Sequence, residues 1–330
     1  MFATASIPEL TTVRPATASR YLAIWALTLL LSWLVFAGFI AVVDPYDFLG
    51  SPRITGFNAS KYEMSEFGRI AKLREVGRQK PQALILGDSQ AEGGLRSSTL
   101  AELTGERAYN LGFLGARIEE TKVAFGHALQ VAPVRTAVLA LDYVAFEGGV
   151  DRAKLLQARA DHAPWRELRD FAEFTLSMKA LVAAGRAVLF NHLNTPPSHD
   201  YEGDWVNHEN IPINDNATPV ENKPPADSAY AAFDKICALA REHHVDLRMF
   251  ATPVHRSFGQ DMASRAIWLR RLRAIAAQNG LKIADEGSDA AFNADKRNFF
   301  DRGHFVATAG DAMLKRLFAN SDRAGGDKTR

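Results

Sequence analysis

The sequence has a single cysteine, Cys237, and almost no excess of charge of either sign. One cysteine cannot form an intrachain disulfide, and it excludes a zinc site built from several cysteines. The 39 Lys and Arg residues against 38 Asp and Glu residues give a net charge of +1, so no overall basic field attracts nucleic acid. A hydrophobic share of 47% excludes wholesale disorder and a polytopic membrane protein. A length of 330 residues fits one α/β domain with attachments, or two units.

Charge is also absent from one long N-terminal segment. Residues 21–43 contain no Asp, Glu, Lys, Arg or His, and a helix of that length reaches roughly 35 Å, enough to cross a membrane. We therefore predict a transmembrane anchor at 21–43, preceded by a cytoplasmic tail at 1–20. Because such anchors usually export the domain that follows, we expect a single-pass inner-membrane protein with a periplasmic domain. Cleavage of the segment as a signal peptide is the alternative.

Short apolar runs alternate with helical patterns in the rest of the chain. The runs lie at 82–87, 107–111, 136–141, 247–251 and 281–284, and the helical patterns at 118–131, 227–244, 264–279 and 308–320. This alternation predicts βαβ units and a parallel sheet covered by helices on both faces. The predicted organisation is a stalk and leading helix at 44–80, a domain at 81–322 and a polar, frayed tail at 323–330. The domain carries an insertion at about 151–225, with a helix at 165–192 and a long loop after it.

Two short motifs carry residues suited to nucleophilic catalysis. Ser89 ends a Gly-Asp-Ser turn after the first apolar run, where open α/β sheets place their active sites. Asp301 and His304 lie three residues apart before the last helical pattern, so both side chains can converge on one serine as orienting carboxylate and base. Each motif alone also fits an ordinary turn or helix cap.

Taken together, the two motifs resemble the SGNH (GDSL-type) hydrolase family over about residues 80–320. The resemblance implies a flavodoxin-like three-layer α/β/α sandwich with a central parallel sheet. It also implies an enzyme that cleaves or transfers acyl esters with neither a cofactor nor a metal. On this resemblance Ser89 is the nucleophile, His304 is the general base and Asp301 orients the imidazole.

The same resemblance suggests an oxyanion hole but departs from the family at one position. The turn at 109–115 resembles the family's glycine-bearing turn, which assigns a backbone donor to Gly115, with Gly112 as the other candidate, beside the N–H of Ser89. Asp142 stands where the family has an asparagine donor. A carboxylate there repels the oxyanion, so three interpretations stay open: a protonated Asp142, a substitute donor, or a weakened or inactive enzyme.

Five further residues are candidates for substrate contact. His255 and Arg256 follow the fourth apolar run, and Asn110 ends the second. All three are therefore expected at the sheet edge that carries Ser89. Trp205, with Tyr201, could form an aromatic platform for a sugar, and surface packing is the alternative for Trp205.

The remaining histidines do not predict a metal site. His199 and His208 have acidic neighbours but no recognised ligand spacing. His243 and His244 are adjacent, so on a helix they point about 100° apart and fit a solvated helix end.

The membrane setting narrows the expected function. The N-terminal anchor and the late Phe-Phe-Asp-x-x-His-Phe block together resemble those of membrane-anchored bacterial members of the family. The relatives that this suggests are the alginate O-acetyltransferase and D-alanyl-transfer proteins. The implied function is a serine acyl-ester hydrolase or O-acyltransferase acting on acyl groups, foremost acetyl, of a cell-surface glycan. The alternative is an inactive binding or assembly component of a polysaccharide modification or export complex. Expected partners are the glycan, the inner membrane and such a complex, and not nucleic acid.

Overall fold

The computed structural model describes residues 15–61, 64–160, 164–195, 203–205, 211–216, 218–221 and 223–325. Within these ranges the strands are β1 (Ala83–Leu86), β2 (Ala108–Asn110), β3 (Thr136–Leu141), β4 (Asp246–Ala251) and β5 (Ile283–Asp285). The helices are α1 (Pro15–Val43), α2 (Met64–Gln79), α3 (Ser89–Gly94), α4 (Ser97–Thr104), α5 (Ile118–Val131), α6 (Val150–Ala160), α7 (Pro164–Thr175), α8 (Met178–His192), α9 (Asp227–Glu242), α10 (Met262–Gln278), α11 (Ala290–Ala294) and α12 (Ala307–Gly325).

The five strands form one parallel sheet in the order β2-β1-β3-β4-β5. This confirms the parallel sheet predicted from the alternation of apolar runs and helical patterns. In the register, Ala83 of β1 pairs with Ala108 of β2 on one side and with Thr136 of β3 on the other. The chain therefore changes direction across the sheet between β1 and β3. In parallel sheets such a switch opens a crevice at the carboxyl ends of the two strands.

Helices cover both faces of the sheet, because successive side chains of each strand point to opposite sides. In β1, Leu84 and Leu86 belong to a core shared with α2, α5, α9 and α10. Ala83 and Ile85 of the same strand belong to a second core shared with α3, α4 and α12. The strands are thus buried on both faces, and for this reason their sequences are uninterrupted apolar runs.

Some predicted boundaries hold and others shift. The predicted elements at 118–131 and 136–141 are α5 and β3. The single helix predicted at 165–192 is two helices, α7 and α8, because Ser177 caps the second one and its Oγ accepts the N–H of Ala180 at 3.1 Å. The polar tail expected from residue 323 starts later, since α12 continues to Gly325. Residues 1–14 and 326–330 lie outside the described residues.

Helix α1 has two kinds of environment. Within the described residues it is the one helix long and apolar enough to cross a membrane, over the 26 residues Ala18–Val43. Its large side chains from Tyr21 to Phe36 are mostly exposed, and Val42 is exposed beyond them. Ile40 and Val43, at its end, are buried against the alanine-rich face of α8. The exposed part is the candidate membrane span, and the buried residues at its end pack against the domain.

Residues 44–61, the first part of the predicted stalk, form a compact collar around the end of α1. The last carbonyls of a helix lack intrahelical partners, and three side chains of the collar supply donors to them. Ser51 Oγ donates to Ala41 O (2.6 Å), Asn58 Nδ2 to Val42 O (2.9 Å) and Lys61 Nζ to Val43 O (2.9 Å). The Asp44 carboxylate accepts the N–H of Phe48 at 2.8 Å. These bonds tie the helix end to the domain without a flexible linker.

Candidate active site

Ser89 lies at the carboxyl end of β1, in a turn that only glycine permits. Gly87 has φ +148°, and a Cβ there would lie 2.8 Å from the Cβ of Ala91 and 3.0 Å from the carbonyl oxygen of Ala140. Asp88 caps α3, since its carboxyl accepts the N–H of Gln90 at 2.9 Å. Ser89 is therefore the first residue of α3, at the crevice between β1 and β3.

Ser89, His304 and Asp301 form one hydrogen-bonded line. His304 Nε2 lies 2.8 Å from Ser89 Oγ, and His304 Nδ1 lies 2.8 Å from Asp301 Oδ2. A carboxylate only accepts hydrogen bonds, so the Nδ1 proton points to Asp301 and the Nε2 lone pair faces the serine hydroxyl. This is the tautomer that a general base needs. The structure thus brings together the three side chains that the sequence predicts, although Ser89 and His304 are 215 positions apart.

Asp301 is held in its ionised form. Burial alone would raise its pKa, but the hydrogen bond and charge of His304 act in the opposite direction, as do the backbone N–H groups of Gly303 and His304. The net result is a pKa below the ordinary value. Those two N–H groups donate to Asp301 Oδ1 at 2.7 and 2.9 Å. At neutral pH the carboxylate therefore fixes the imidazole and stabilises its protonated form.

Two aromatic rings enclose the imidazole of His304. Phe300 stacks on His304 with ring centroids 5.3 Å apart and an interplanar angle of 10°. Trp205 meets the same ring edge-on at 6.1 Å. Trp205 belongs to the predicted insertion and is partly exposed, so an indole edge and the reactive nitrogen share one surface. Tyr201, proposed as its companion, lies outside the described residues.

The segment that carries Trp205 is attached to the site by buried polar contacts. The Asp204 carboxylate accepts the N–H and Oγ–H of Ser97, and it also accepts a bond from Asn110 Nδ2 at 2.9 Å. The N–H of Trp205 donates to the carbonyl of Glu92 on α3 at 2.9 Å. Sequence analysis gave Asp204 no such role, because Ser97 and Asn110 are distant from it along the chain.

Lys72 is a second residue that the sequence did not single out. It lies on α2 and is almost fully buried. Its Nζ donates to Glu92 Oε1 (2.8 Å), to the carbonyl of Gly112 (2.8 Å) and to the carbonyl of Gly203 (2.7 Å). One ammonium group therefore joins the catalytic helix, the turn after β2 and the Trp205 segment. In the sequence it is one of several cations in an amphipathic stretch, with nothing to mark it.

The two glycine candidates for the oxyanion hole differ in what their N–H groups do. The Gly112 N–H donates to Asn110 Oδ1 at 3.0 Å, so it is already used. Gly115 has φ +61° and is exposed. Within the described part of the chain its N–H makes no hydrogen bond. The N–H group of Gly115 is therefore unused and stays the predicted oxyanion donor, whereas the N–H group of Gly112 is already bonded.

Asp142, in the place of the expected asparagine, is paired with Asp88. Both carboxyls are buried. Burial, followed by the charge and hydrogen bond of Asp142, raises the pKa of Asp88 well above the ordinary value. Burial also raises the pKa of Asp142, although hydrogen bonds from Asp88 and Val144 and the charge of His304 oppose the rise. A hydrogen bond between two carboxyls requires one proton, so the pair is expected to keep a shared proton to higher pH than an ordinary carboxyl does.

The buried carboxyl pair should make the stability of the fold depend on pH, and we expect Asp88→Asn to remove this dependence. The pKa of Asp88 is higher in the folded state than its ordinary value of 3.8. Its contribution to stability is therefore complete below that value and is lost as the pH rises through the folded pKa. An uncharged amide can keep the bonds to Gln90 and Asp142. We expect the melting temperature of Asp88→Asn to equal that of wild type at acid pH. At alkaline pH it should be higher, by roughly 2–4 °C for each kcal/mol of destabilisation that the substitution relieves. Thermal melts across pH measure this, and a constant difference in melting temperature would contradict it.

Two of the three residues predicted to contact substrate are interior. Asn110 is fully buried, and its amide nitrogen donates to the carbonyls of Ala91 and Leu95 as well as to Asp204. His255 is also fully buried, with Nδ1 2.8 Å from Ser257 Oγ, and burial lowers its pKa. Neither side chain presents a surface to substrate, contrary to the prediction, because both are enclosed by the fold. Asn110 uses its amide on partners inside the fold, whereas His255 Nε2 has no hydrogen-bond partner among the described residues.

Arg256 and the four histidines considered as metal ligands lie on the surface or outside the described ranges. Arg256 is exposed, 3.7 Å from the Asp215 carboxylate, and stays a candidate for substrate contact. His243 and His244 are exposed at the end of α9. His199 and His208 lie outside the described residues. In the part of the chain that the structure describes, no group of three or more His, Cys, Asp or Glu side chains could hold a metal ion.

The arrangement contains a hydroxyl, a base of fixed tautomer and an ionised orienting carboxylate, which are groups that acyl transfer through a serine requires. No family model matches the chain, and no curated protein matches its sequence.

Proposed function

We propose that this chain is a membrane-anchored serine acyl-ester hydrolase or O-acyltransferase of the SGNH (GDSL-type) class. The observation that carries the proposal is the line Ser89–His304–Asp301, with 2.8 Å between each pair of interacting atoms. A buried hydroxyl bonded to a histidine whose other nitrogen faces an ionised carboxylate is suited to nucleophilic catalysis. A purely structural histidine would not need this tautomer.

The proposed reaction has two halves. Ser89 Oγ attacks the acyl carbonyl while His304 Nε2 takes the hydroxyl proton, and the tetrahedral oxyanion is held by the N–H groups of Ser89 and Gly115. Collapse breaks the ester bond, and His304 returns the proton to the leaving alcohol. In the second half, water or a sugar hydroxyl gives its proton to His304 and attacks the acyl carbonyl of the acyl-enzyme. The bond between the acyl carbon and Ser89 Oγ then breaks, His304 returns the proton to Ser89 Oγ, and the acid or new ester leaves.

We propose a flavodoxin-like three-layer sandwich for residues 81–322. The strand order 2-1-3-4-5 and the helices on both faces support it. In this topology the ligand crevice lies between the carboxyl ends of β1 and β3. Ser89 follows β1 and Asp142 follows β3, so the proposed site coincides with the crevice.

The proposed substrate is an acylated, foremost acetylated, cell-surface glycan, with the domain in the periplasm beside the inner membrane. The exposed apolar surface of α1 supports the membrane attachment. The partly exposed indole of Trp205 beside His304 supports a sugar ligand, because an aromatic ring offers the apolar contact that carbohydrate faces need.

A second candidate function is a binding or assembly component of a polysaccharide modification complex. Asp142 is the observation that favours it. A carboxyl pair carrying one negative charge at the expected donor position opposes the oxyanion, and loss of one such donor typically removes about 3–4 kcal/mol of transition-state stabilisation.

Covalent labelling of the full-length protein in detergent tests the proposal. A fluorophosphonate probe and p-nitrophenyl acetate are offered to wild type, to Ser89→Ala and to Ser98→Ala, a matched variant of an exposed serine on α4. We expect labelling and ester hydrolysis in wild type and Ser98→Ala, and neither in Ser89→Ala. A wild-type protein that is inert in both assays would favour the binding component.

Asp142→Asn separates a weakened enzyme from one that has a substitute donor. The amide is neutral at every pH and can donate to the oxyanion, whereas the buried pair shares a single proton. We expect kcat/KM for p-nitrophenyl acetate to rise by about 10²-fold, the usual effect of one oxyanion donor. An unchanged or lower value in a folded variant would mean that residue 142 does not face the oxyanion, or that its carboxyl already donates.

A further inference from the structure

Helix α8 carries an apolar stripe that faces away from the protein. Met178, Val182, Leu189 and Leu193 are 73%, 58%, 52% and 62% exposed. Their spacing of four, seven and four residues places them on one side of the helix. The opposite side, which includes Ala180, Ala183, Ala184 and Ala187, is buried. We call the four exposed residues the α8 stripe.

Helix α8 packs against the end of α1. At the end of α7, just before α8, Phe174 stacks on Phe48 of the collar with ring centroids 4.7 Å apart. At the last turn of α8, Asn191 exchanges two hydrogen bonds of 2.9 Å with the backbone of Ser60. The middle of the helix packs against Ile40 and Val43. Since the end of α7 and the last turn of α8 both contact the collar that surrounds the end of α1, the middle of α8 lies beside the part of α1 that enters the domain.

That level coincides with the expected edge of the membrane. The continuously exposed part of α1 extends from about Ala18 to Phe36, and Val42 is exposed again on one side of the helix end. A helix from Ala18 to Phe36 spans roughly 28 Å, close to the thickness of a hydrocarbon core. Ile40, one turn further on, is already covered by α8. Helix α8 therefore lies within about one helical turn, ~5 Å, of the point where α1 would leave the lipid.

We propose that the α8 stripe is embedded in the boundary between headgroups and acyl chains of the same membrane that α1 enters. The proposal rests on the anchor in the proposed function. Residues 178–193 contain Lys179 and Arg186 and no acidic residue, which suits a surface of anionic headgroups. An interfacial helix bound to the end of a spanning helix fixes the orientation of the domain towards the bilayer.

Fluorescence quenching in vesicles tests the proposal on the full chain. Single cysteines are introduced as Val182→Cys and Leu189→Cys and labelled with the dye NBD, while native Cys237 is buried and unlabelled. Ile267→Cys is the matched control, an exposed apolar residue on α10. Leu30→Cys, in the exposed part of α1, reports the anchor. The vesicles contain phosphatidylcholine and phosphatidylglycerol with a spin label near the headgroup or deep in the acyl chain, and aqueous iodide is the competing quencher.

We expect the shallow lipid label to quench positions 182 and 189 at least about twofold more than position 267, with iodide showing the reverse order. Quenching of 182 and 189 by iodide to the level of 267 would overturn the proposal. Protection from both quenchers would also overturn it, because a protein partner or a second copy would then cover the stripe. If position 30 is not quenched by the deep lipid label, the anchor itself fails, whereas the serine chemistry is tested separately.

Discussion

The His304→Ala variant is expected to lose as much esterase activity as Ser89→Ala, a decrease of about 10⁴-fold or more in kcat/KM for p-nitrophenyl acetate. Without the imidazole, no group accepts the proton of Ser89 Oγ, whose base lies 2.8 Å away. The serine is then a neutral hydroxyl and a poor nucleophile. Initial rates with the ester and the rate of fluorophosphonate labelling measure the loss.

Replacement of the carboxylate is expected to have a smaller effect. Asp301→Ala leaves the base in place but removes the acceptor that selects its tautomer. The kcat/KM of Asp301→Ala should therefore be roughly 10–100-fold higher than that of His304→Ala. The double variant should lose no more than His304→Ala, because the three groups act as a unit. His243→Ala, an exposed histidine at the end of α9, should be unaffected. Additive losses, or an active His304→Ala protein, would contradict the assignment of the base.

The Lys72→Met variant is expected to be destabilised by about 3–5 kcal/mol, since it breaks a buried ion pair and leaves the other charge without its partner. The ammonium group donates to Glu92 at 2.8 Å and also to the carbonyls of Gly112 and Gly203. Methionine fills a similar volume but offers no donor, so three acceptors lose a bond at once. Chemical unfolding of the detergent-solubilised protein measures the change.

A matched substitution separates this effect from the general loss of a positive charge. Lys154→Met removes an exposed lysine on α6, 3.5 Å from an exposed Asp151, and should change the unfolding free energy by less than about 1 kcal/mol. Lys72→Met should also slow probe labelling, because Glu92 belongs to the catalytic helix and Gly203 to the Trp205 segment. Equal unfolding free energies for the two variants would refute the structural role of Lys72.

Much of the fold follows from local patterns in the sequence. Three patterns each indicate how a short stretch of chain is buried: the apolar runs, the helical periodicity of 118–131 and the uncharged N-terminal segment. Burial of such a stretch depends on residues that are neighbours in the sequence. The helix break at Ser177 was missed because the apolar pattern continues through it. The collar at 44–61 was missed because prolines and glycines mark a bend without showing what the chain bends towards.

The sequence alone determined the parallel sheet, the apolar helix and the candidacy of Ser89, Asp301 and His304. Only the tertiary structure decided that Lys72 and Asp204 hold the site together, that Asn110 and His255 point inward, and that Asp88 and Asp142 form a pair. Burial of apolar side chains repeats with the period of a helix or strand and can be read locally. The partner of a buried polar group is set by which distant turns the folded chain brings within about 3 Å, and no local pattern encodes that distance.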